Sequence, residues 1–102
     1  MELNSRQRAY LRSMCNTMPA ILYIGKEGVT ENTCIEAEKA LEARELIKCS
    51  LQKGAPMSAR EACEALALEC RAEQIQSIGS KCVLYKRNET DPRIELPKSK
   101  KK

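Results

Sequence analysis

The sequence predicts a single α/β domain: one four-stranded mixed sheet with packed helices, in the order α-β-α-β-α-β-β. Three observations carry this prediction. Apolar residues alternate between helical spacing and short strand-like runs. Helix-start signals stand at Asn4, Thr30 and Ser58. Gly79-Ser80, between two short runs, reads as a hairpin turn. A chain of 102 residues holds one modest core and no second one.

The first helix is expected from about Ser5 to Asn16, because Asn4 and Gln7 have the spacing of a capping box. Leu11, Met14, Cys15 and Met18 form its narrow apolar stripe, and Pro19 ends the segment. Ala20-Ile21-Leu22-Tyr23-Ile24 reads as a buried strand. A second helix is expected from after Thr30 to about Ala43, with Val29 and Cys34 placed as a hydrophobic staple. Its core face is Cys34, Ile35, Ala37, Ala40 and Leu41. Leu46 to Leu51 reads as a strand with Ile47, Cys49 and Leu51 on one side. Gly54 and Pro56 mark the turn that follows.

The third helix is the clearest. Ser58-Ala59-Arg60-Glu61 is a capping box, and Ala59, Ala62, Cys63, Leu66, Ala67 and Cys70 fall on one face. Gln74–Ile78 and Cys82–Lys86 are the two hairpin strands. Beyond Arg87, Asn88-Glu89-Thr90-Asp91-Pro92 breaks regular structure, and Arg93 to Pro97 is expected to lie along the domain. The domain is taken as 1–97, with a basic disordered tail over 98–102.

The net charge is +4 and the pI about 8.8. Residues 1–12 carry a balance of +2, residues 31–45 a balance of −3, and residues 81–102 a balance of +5. Basic ends around acidic helices fit a one-sided patch facing a polyanion, and also an ordinary solvated surface. No signal peptide or run of about 20 apolar residues is visible, so a soluble cytoplasmic chain is expected. The six cysteines include no C-x-x-C pair, and His is absent. They read as reduced core residues, not as a disulfide framework or a zinc site.

Gly25-Lys26-Glu27-Gly28 carries the chemistry. Two glycines flanking a Lys at a strand-to-helix turn let backbone approach a phosphate and point N–H groups outward. Thr30 would then open a helix whose positive dipole end faces the same spot. Catalysis is poorly supported. There is no His, no G-x-S-x-G, no Walker loop and no G-x-G-x-x-G. A non-enzyme without cofactors is expected. With no Phe or Trp and only Tyr10, Tyr23 and Tyr85, the chain lacks the several aromatics of a base-stacking platform. Recognition then rests on phosphate and sugar, hence shape more than sequence, as in the GXXG loop of KH domains.

Ile24-Gly25-Lys26-Glu27-Gly28-Val29-Thr30, a following helix, and Glu45-Leu46-Ile47-Lys48 together resemble the CRM domain (chloroplast RNA splicing and ribosome maturation). Ile78-Gly79, Val83-Leu84-Tyr85-Lys86-Arg87 and Ile94-Glu95-Leu96-Pro97 fit the same pattern, most closely that of single-domain bacterial YhbY-type proteins. The resemblance implies a fold akin to the C-terminal domain of translation initiation factor three. It also implies association with large-subunit ribosomal precursor RNA, and RNA contact through Gly25, Lys26, Glu27 and Gly28.

The expected function is therefore structured-RNA binding in ribosome assembly, by a monomer. Thr30 belongs to the expected site. Arg6, Arg8, Arg12, Lys48, Lys81, Lys86 and Arg87 are the candidate flanking contacts, each equally readable as solubilising charge. Glu27 is expected to point to solvent. A DNA-architectural protein of similar fold and a protein-interaction adaptor are the alternatives.

Overall fold

Each helix opens on the reciprocal cap that satisfies its first free backbone N–H groups. The computed structural model describes residues 3–97, so the basic tail expected over 98–102 lies outside the described residues. Gln7 N–H donates to Asn4 Oδ1 at 2.8 Å and Asn4 N–H to Gln7 Oε1 at 3.1 Å, opening α1 (Ser5–Cys15). Ser58 and Glu61 repeat the exchange at α3 (Ala59–Cys70). Thr30 and Thr33 do so at α2 (Glu31–Arg44). The strands are β1 (Leu22–Ile24), β2 (Leu46–Leu51), β3 (Glu73–Ile78) and β4 (Lys81–Tyr85), in the expected element order.

The sheet has the order β1-β2-β4-β3. β1 and β2 are parallel, with Tyr23 opposite Ser50, and the remaining pairs are antiparallel. The hairpin turn is Gly79-Ser80, with Gly79 at φ 57°. A register shift between Gln74 and Gln76 bulges β3. Residues expected in β1 at Ala20 and Ile21 lie before the strand, although Ile21 N–H already donates to Lys48 O at 2.9 Å.

Neighbouring strand residues point to opposite sides, so each face of the sheet carries its own apolar cluster. On one face Leu22, Ile24, Ile47, Cys49, Cys82 and Leu84 meet Ala37 and Leu41 of α2 and Ala62, Cys63, Leu66, Ala67 and Cys70 of α3. On the other, Leu46, Ile75, Val83 and Tyr85 meet Leu3, Leu11 and Cys15, with Met14, Met18, Ile94 and Leu96 packed around them. The segment after Arg87 therefore lies along the domain, as expected. Two expectations are corrected. Ile35, placed on the core face of α2, is 45% exposed, and Tyr23, within a strand read as buried, is 58% exposed. Strand alternation turns Leu22 and Ile24 toward α2 and α3 and leaves Tyr23 on the α1 side.

Glu45 closes the far end of the domain. It is fully buried and sits at φ 68°, just past α2. Its Oε1 accepts from Arg93 N–H at 2.8 Å and Ile94 N–H at 2.7 Å, and its Oε2 from Asn88 N–H at 2.7 Å. Its backbone carbonyl accepts from Lys86 N–H at 2.8 Å. A buried carboxylate is tolerated because three backbone donors converge on it. The variant Glu45→Gln is expected to lower stability by about 2–3 kcal/mol, since an amide turns at least one N–H donor toward another donor. Urea unfolding measures the loss, and proteolysis beyond Arg87 should accelerate with it.

Five cysteines are buried and Cys34 is half-buried, all as free thiols. Burial, then the nearby carboxylate of Glu38, pushes the Cys70 thiol up to about 11. Burial likewise raises Cys34 and the Tyr85 phenol, while the hydrogen bond with Cys82 lowers Cys63. The folded state thus keeps the Cys70 proton in a range where the unfolded chain, with its thiol near 9.0, releases it. Folded protein binds more protons there, so stability falls as pH rises. The urea midpoint should lose this contribution between pH 9.0 and about 11, and Cys70→Ala should remove part of the decline. A decline of the same size in that variant would contradict the assignment.

Candidate nucleic-acid interface

β1 and β2 run parallel, so the chain leaves both at the same end of the sheet, and α2 and α3 both begin there. The two departures are alike. After β1, Gly28 N–H donates to Gly25 O at 3.0 Å, a tight turn with Lys26 and Glu27 at its tip. After β2, Ala55 N–H donates to Gln52 O at 3.1 Å, with Lys53 and Gly54 at the tip. Gln52 N–H donates to Ile24 O at 2.8 Å and ties the roots of the two turns together. Lys26 lies across the second turn: a Cβ on Gly54 would stand 3.5 Å from Lys26 Cγ.

Gly28 also has a packing role that the sequence does not show. Gly28 is buried, adopts φ 72°, and would press an added Cβ to 3.1 Å from Pro56 Cγ and 3.2 Å from Met57 Cε. It locks one turn against the other, and its N–H is spent inside the turn. The N–H groups of Lys26 and Glu27 donate to no backbone carbonyl among the described residues. They are available to an anion. Glu27 is exposed, as expected. Thr30 uses its hydroxyl in the helix cap, accepting from Thr33 N–H at 3.2 Å. The first N–H groups of α2 that the cap does not use have no intrahelical partner.

The hairpin turn joins the same end. Leu51 N–H donates to Ser80 O at 2.8 Å, and Lys81 Nζ stands 3.3 Å from Ser50 Oγ. A cleft of about 380 Å³ lies between Gln52–Ala55, the start of α3 and Gly79-Ser80. Lys53 lines it and is exposed. Lys26 and Lys81 are exposed at the same end of the sheet, Lys81 on its α1 face. Lys53 is the residue that sequence reasoning missed. The signal was a second Lys-Gly turn after a strand, mirroring the first.

The other candidates are dispersed. Lys48 projects from mid-β2 on the α1 side and is half-buried. Arg6 and Arg12 are exposed on α1. Arg8 is engaged: it pairs with Glu73 at 3.2 Å and donates to Gln74 O at 2.8 Å, fastening α1 to β3. Lys86 and Arg87 follow the far end of β4, about 20 Å from Lys81 at the usual rise per strand residue. Arg87 pairs with Glu89 at 3.8 Å. The structure therefore places Lys81 at the same end of the sheet as the loop, two strands away, and Arg8, Lys86 and Arg87 at the other end.

A mixed four-stranded sheet with two lysine-tipped turns beside paired helix starts has the form of an α/β nucleic-acid-binding module. Residues 3–86 match the CRS1/YhbY (CRM) domain. The chain belongs to that family. It is 38% identical over 95 residues to "Probable RNA-binding protein YqeI" of Bacillus subtilis, covering 93% of this chain and 99% of the relative. It is 30% identical over 96 residues to an "RNA-binding protein" of Haemophilus influenzae, covering 94% and 96%. The solution structure of hypothetical protein SAV1595 from Staphylococcus aureus shares the fold, with TM-score 0.78 and 36% identity over 94% of this chain and 100% of that one.

The packing of Gly28 yields a direct contrast. Gly28→Ala should cost about 2 kcal/mol, from the left-handed backbone and the clash with Pro56 and Met57. Gly25→Ala should cost less than about 1 kcal/mol, because its added Cβ meets only the movable Gln52 side-chain oxygen at 3.2 Å. Urea unfolding of the two variants measures the difference, and equal losses would deny Gly28 its structural role.

Proposed function

We propose that this protein is a cytoplasmic, monomeric binder of structured RNA that acts on large-subunit ribosomal precursor RNA during assembly. The observation that carries the reading is the pair of turns, Gly25–Gly28 and Gln52–Ala55, each with an exposed Lys at its tip and each leading to a helix start. In this mechanism the N–H groups of Lys26 and Glu27 and the first turn of α2 hold a phosphate. Lys26, Lys53 and Lys81 add point charges around it. Such contacts read backbone shape and carry little sequence information. The names of the relatives support RNA as the polymer. The ribosomal role rests on the association that resemblance to YhbY-type proteins implies.

Lys26→Glu should weaken binding to a structured RNA across sequences and reduce the slope of log affinity against log salt by about one phosphate contact. Lys53→Glu should act alike, and Arg8→Glu should chiefly lower stability. Unchanged affinity in folded Lys26→Glu protein would defeat the loop reading. Competition with duplex DNA separates an architectural DNA binder from an RNA binder. Crosslinking in cells should recover large-subunit precursor RNA.

A further inference from the structure

The α1 side of the sheet is only partly covered. The residues meeting α1 and the C-terminal segment are Leu46, Ile75, Val83 and Tyr85, toward the Glu45 end. One row nearer the turns, the registers place Tyr23 opposite Ser50, Ser50 opposite Lys81, and Lys81 opposite Ile78. Directly paired residues point to the same face. Tyr23, Ser50, Lys81 and Ile78 thus form one row across all four strands. Tyr23 is 58% exposed and Ile78 64% exposed. Lys48 stands on the same face, one row further in.

We infer that this open row is a second recognition element, which takes an unpaired RNA nucleotide with its base stacked on Tyr23 and its backbone near Lys81 and Lys48. The inference rests on the RNA-binding reading and adds a base contact to a site otherwise built for phosphates. The Tyr23 hydroxyl donates to Ala20 O at 3.2 Å, which fixes the ring at the sheet edge before any ligand arrives. A fixed ring loses little freedom on stacking. Neighbouring strands lie about 4.8 Å apart, so the ring and Lys81, two strands away, are about 10 Å apart along the row.

Charge selects the occupant. The row contains a cation and no acid, and Tyr23 is two residues from Gly25, so a strand held at the turns continues onto it. A second copy docking face to face would bring Lys48 and Lys81 toward their own symmetry mates, which opposes self-association. β1 is also only three residues long, which limits edge pairing with another chain. Stacking tolerates any base. The expected ligand is therefore a duplex held at the turns with an unpaired nucleotide beside it.

The test compares an RNA hairpin carrying a single-stranded uridine extension with the same hairpin blunt-ended. Wild-type protein should bind the extended RNA about tenfold more tightly and show tyrosine fluorescence quenching with it. Tyr23→Leu should lose both the preference and the quenching while keeping the salt slope, and Tyr23→Phe should keep the preference. Lys26→Glu should weaken both RNAs. Folding of each variant is checked by its urea midpoint. Full preference for the extension in folded Tyr23→Leu, with Lys26→Glu weakened, overturns this inference and leaves the turn reading standing. No binding of either RNA by wild type overturns both. A Tyr23-dependent dimer in sedimentation would make the row a protein contact and overturn it as well.

Discussion

The parallel pairing of β1 with β2 decides where this domain can act. Parallel neighbours need a crossover, here α2, and the crossover returns the chain so that both strands finish at the same end. Each then turns directly into a helix. Two turns and two helix starts, well separated in sequence, become neighbours without any further design. The carboxyl ends of parallel strands are a recurrent place for anionic ligands for this reason. Leu22 and Ile24, buried against α2 and α3, hold the pairing. Gln52 N–H to Ile24 O carries it one residue past the strands. Burial of Gly28 beneath Pro56 and Met57 then makes the two turns one body.

The opposite end has another task. Glu45 ends α2 at φ 68° and ψ −42°, a backbone conformation that glycine would adopt more readily. That strain, of order 1–2 kcal/mol, is offset by what the side chain does. One carboxylate gathers Asn88, Arg93 and Ile94, and this lays Ile94 and Leu96 over the α1 side of the sheet. Arg8 acts similarly at the start of β3, where its pair with Glu73 fastens α1. Glu45 and Arg8, at this end, are used for internal assembly. Charges at the turn end, Lys26, Lys53 and Lys81, are exposed.

Local signals in the sequence account for most elements. Asn4, Thr30 and Ser58 start helices through short-range hydrogen bonds that need only neighbouring residues. The face of α3 and the Gly79-Ser80 turn were legible for the same reason. The failures all involve distant partners. Ile35 is exposed because the core-facing stripe of α2 is narrower than its apolar content suggests. Tyr23 is exposed because it faces the α1 side at the edge strand, which the cluster around α1 does not reach, a matter of strand order and packing. Arg8, Lys86 and Arg87 are basic like the others, and only topology shows that they stand apart from the turns. Lys53 escaped because its turn looks ordinary until β2 is known to run beside β1. Glu45, within an acidic stretch, is indistinguishable by composition from solvated glutamates.

This separation changes what the net charge means. A balance of +4 spread over a domain attracts any polyanion weakly and non-specifically. Placing Lys26, Lys53 and Lys81 at one end, beside N–H groups whose positions are set by buried packing, adds a requirement of shape to that diffuse attraction. Backbone donors in a locked turn accept an anion only where the turn presents them, while the lysine side chains adapt around it. The rigid part is therefore the glycine-packed backbone and the adaptable part is the charge. Phosphates spaced along a folded RNA can satisfy both demands at once, whereas isolated anions satisfy only one.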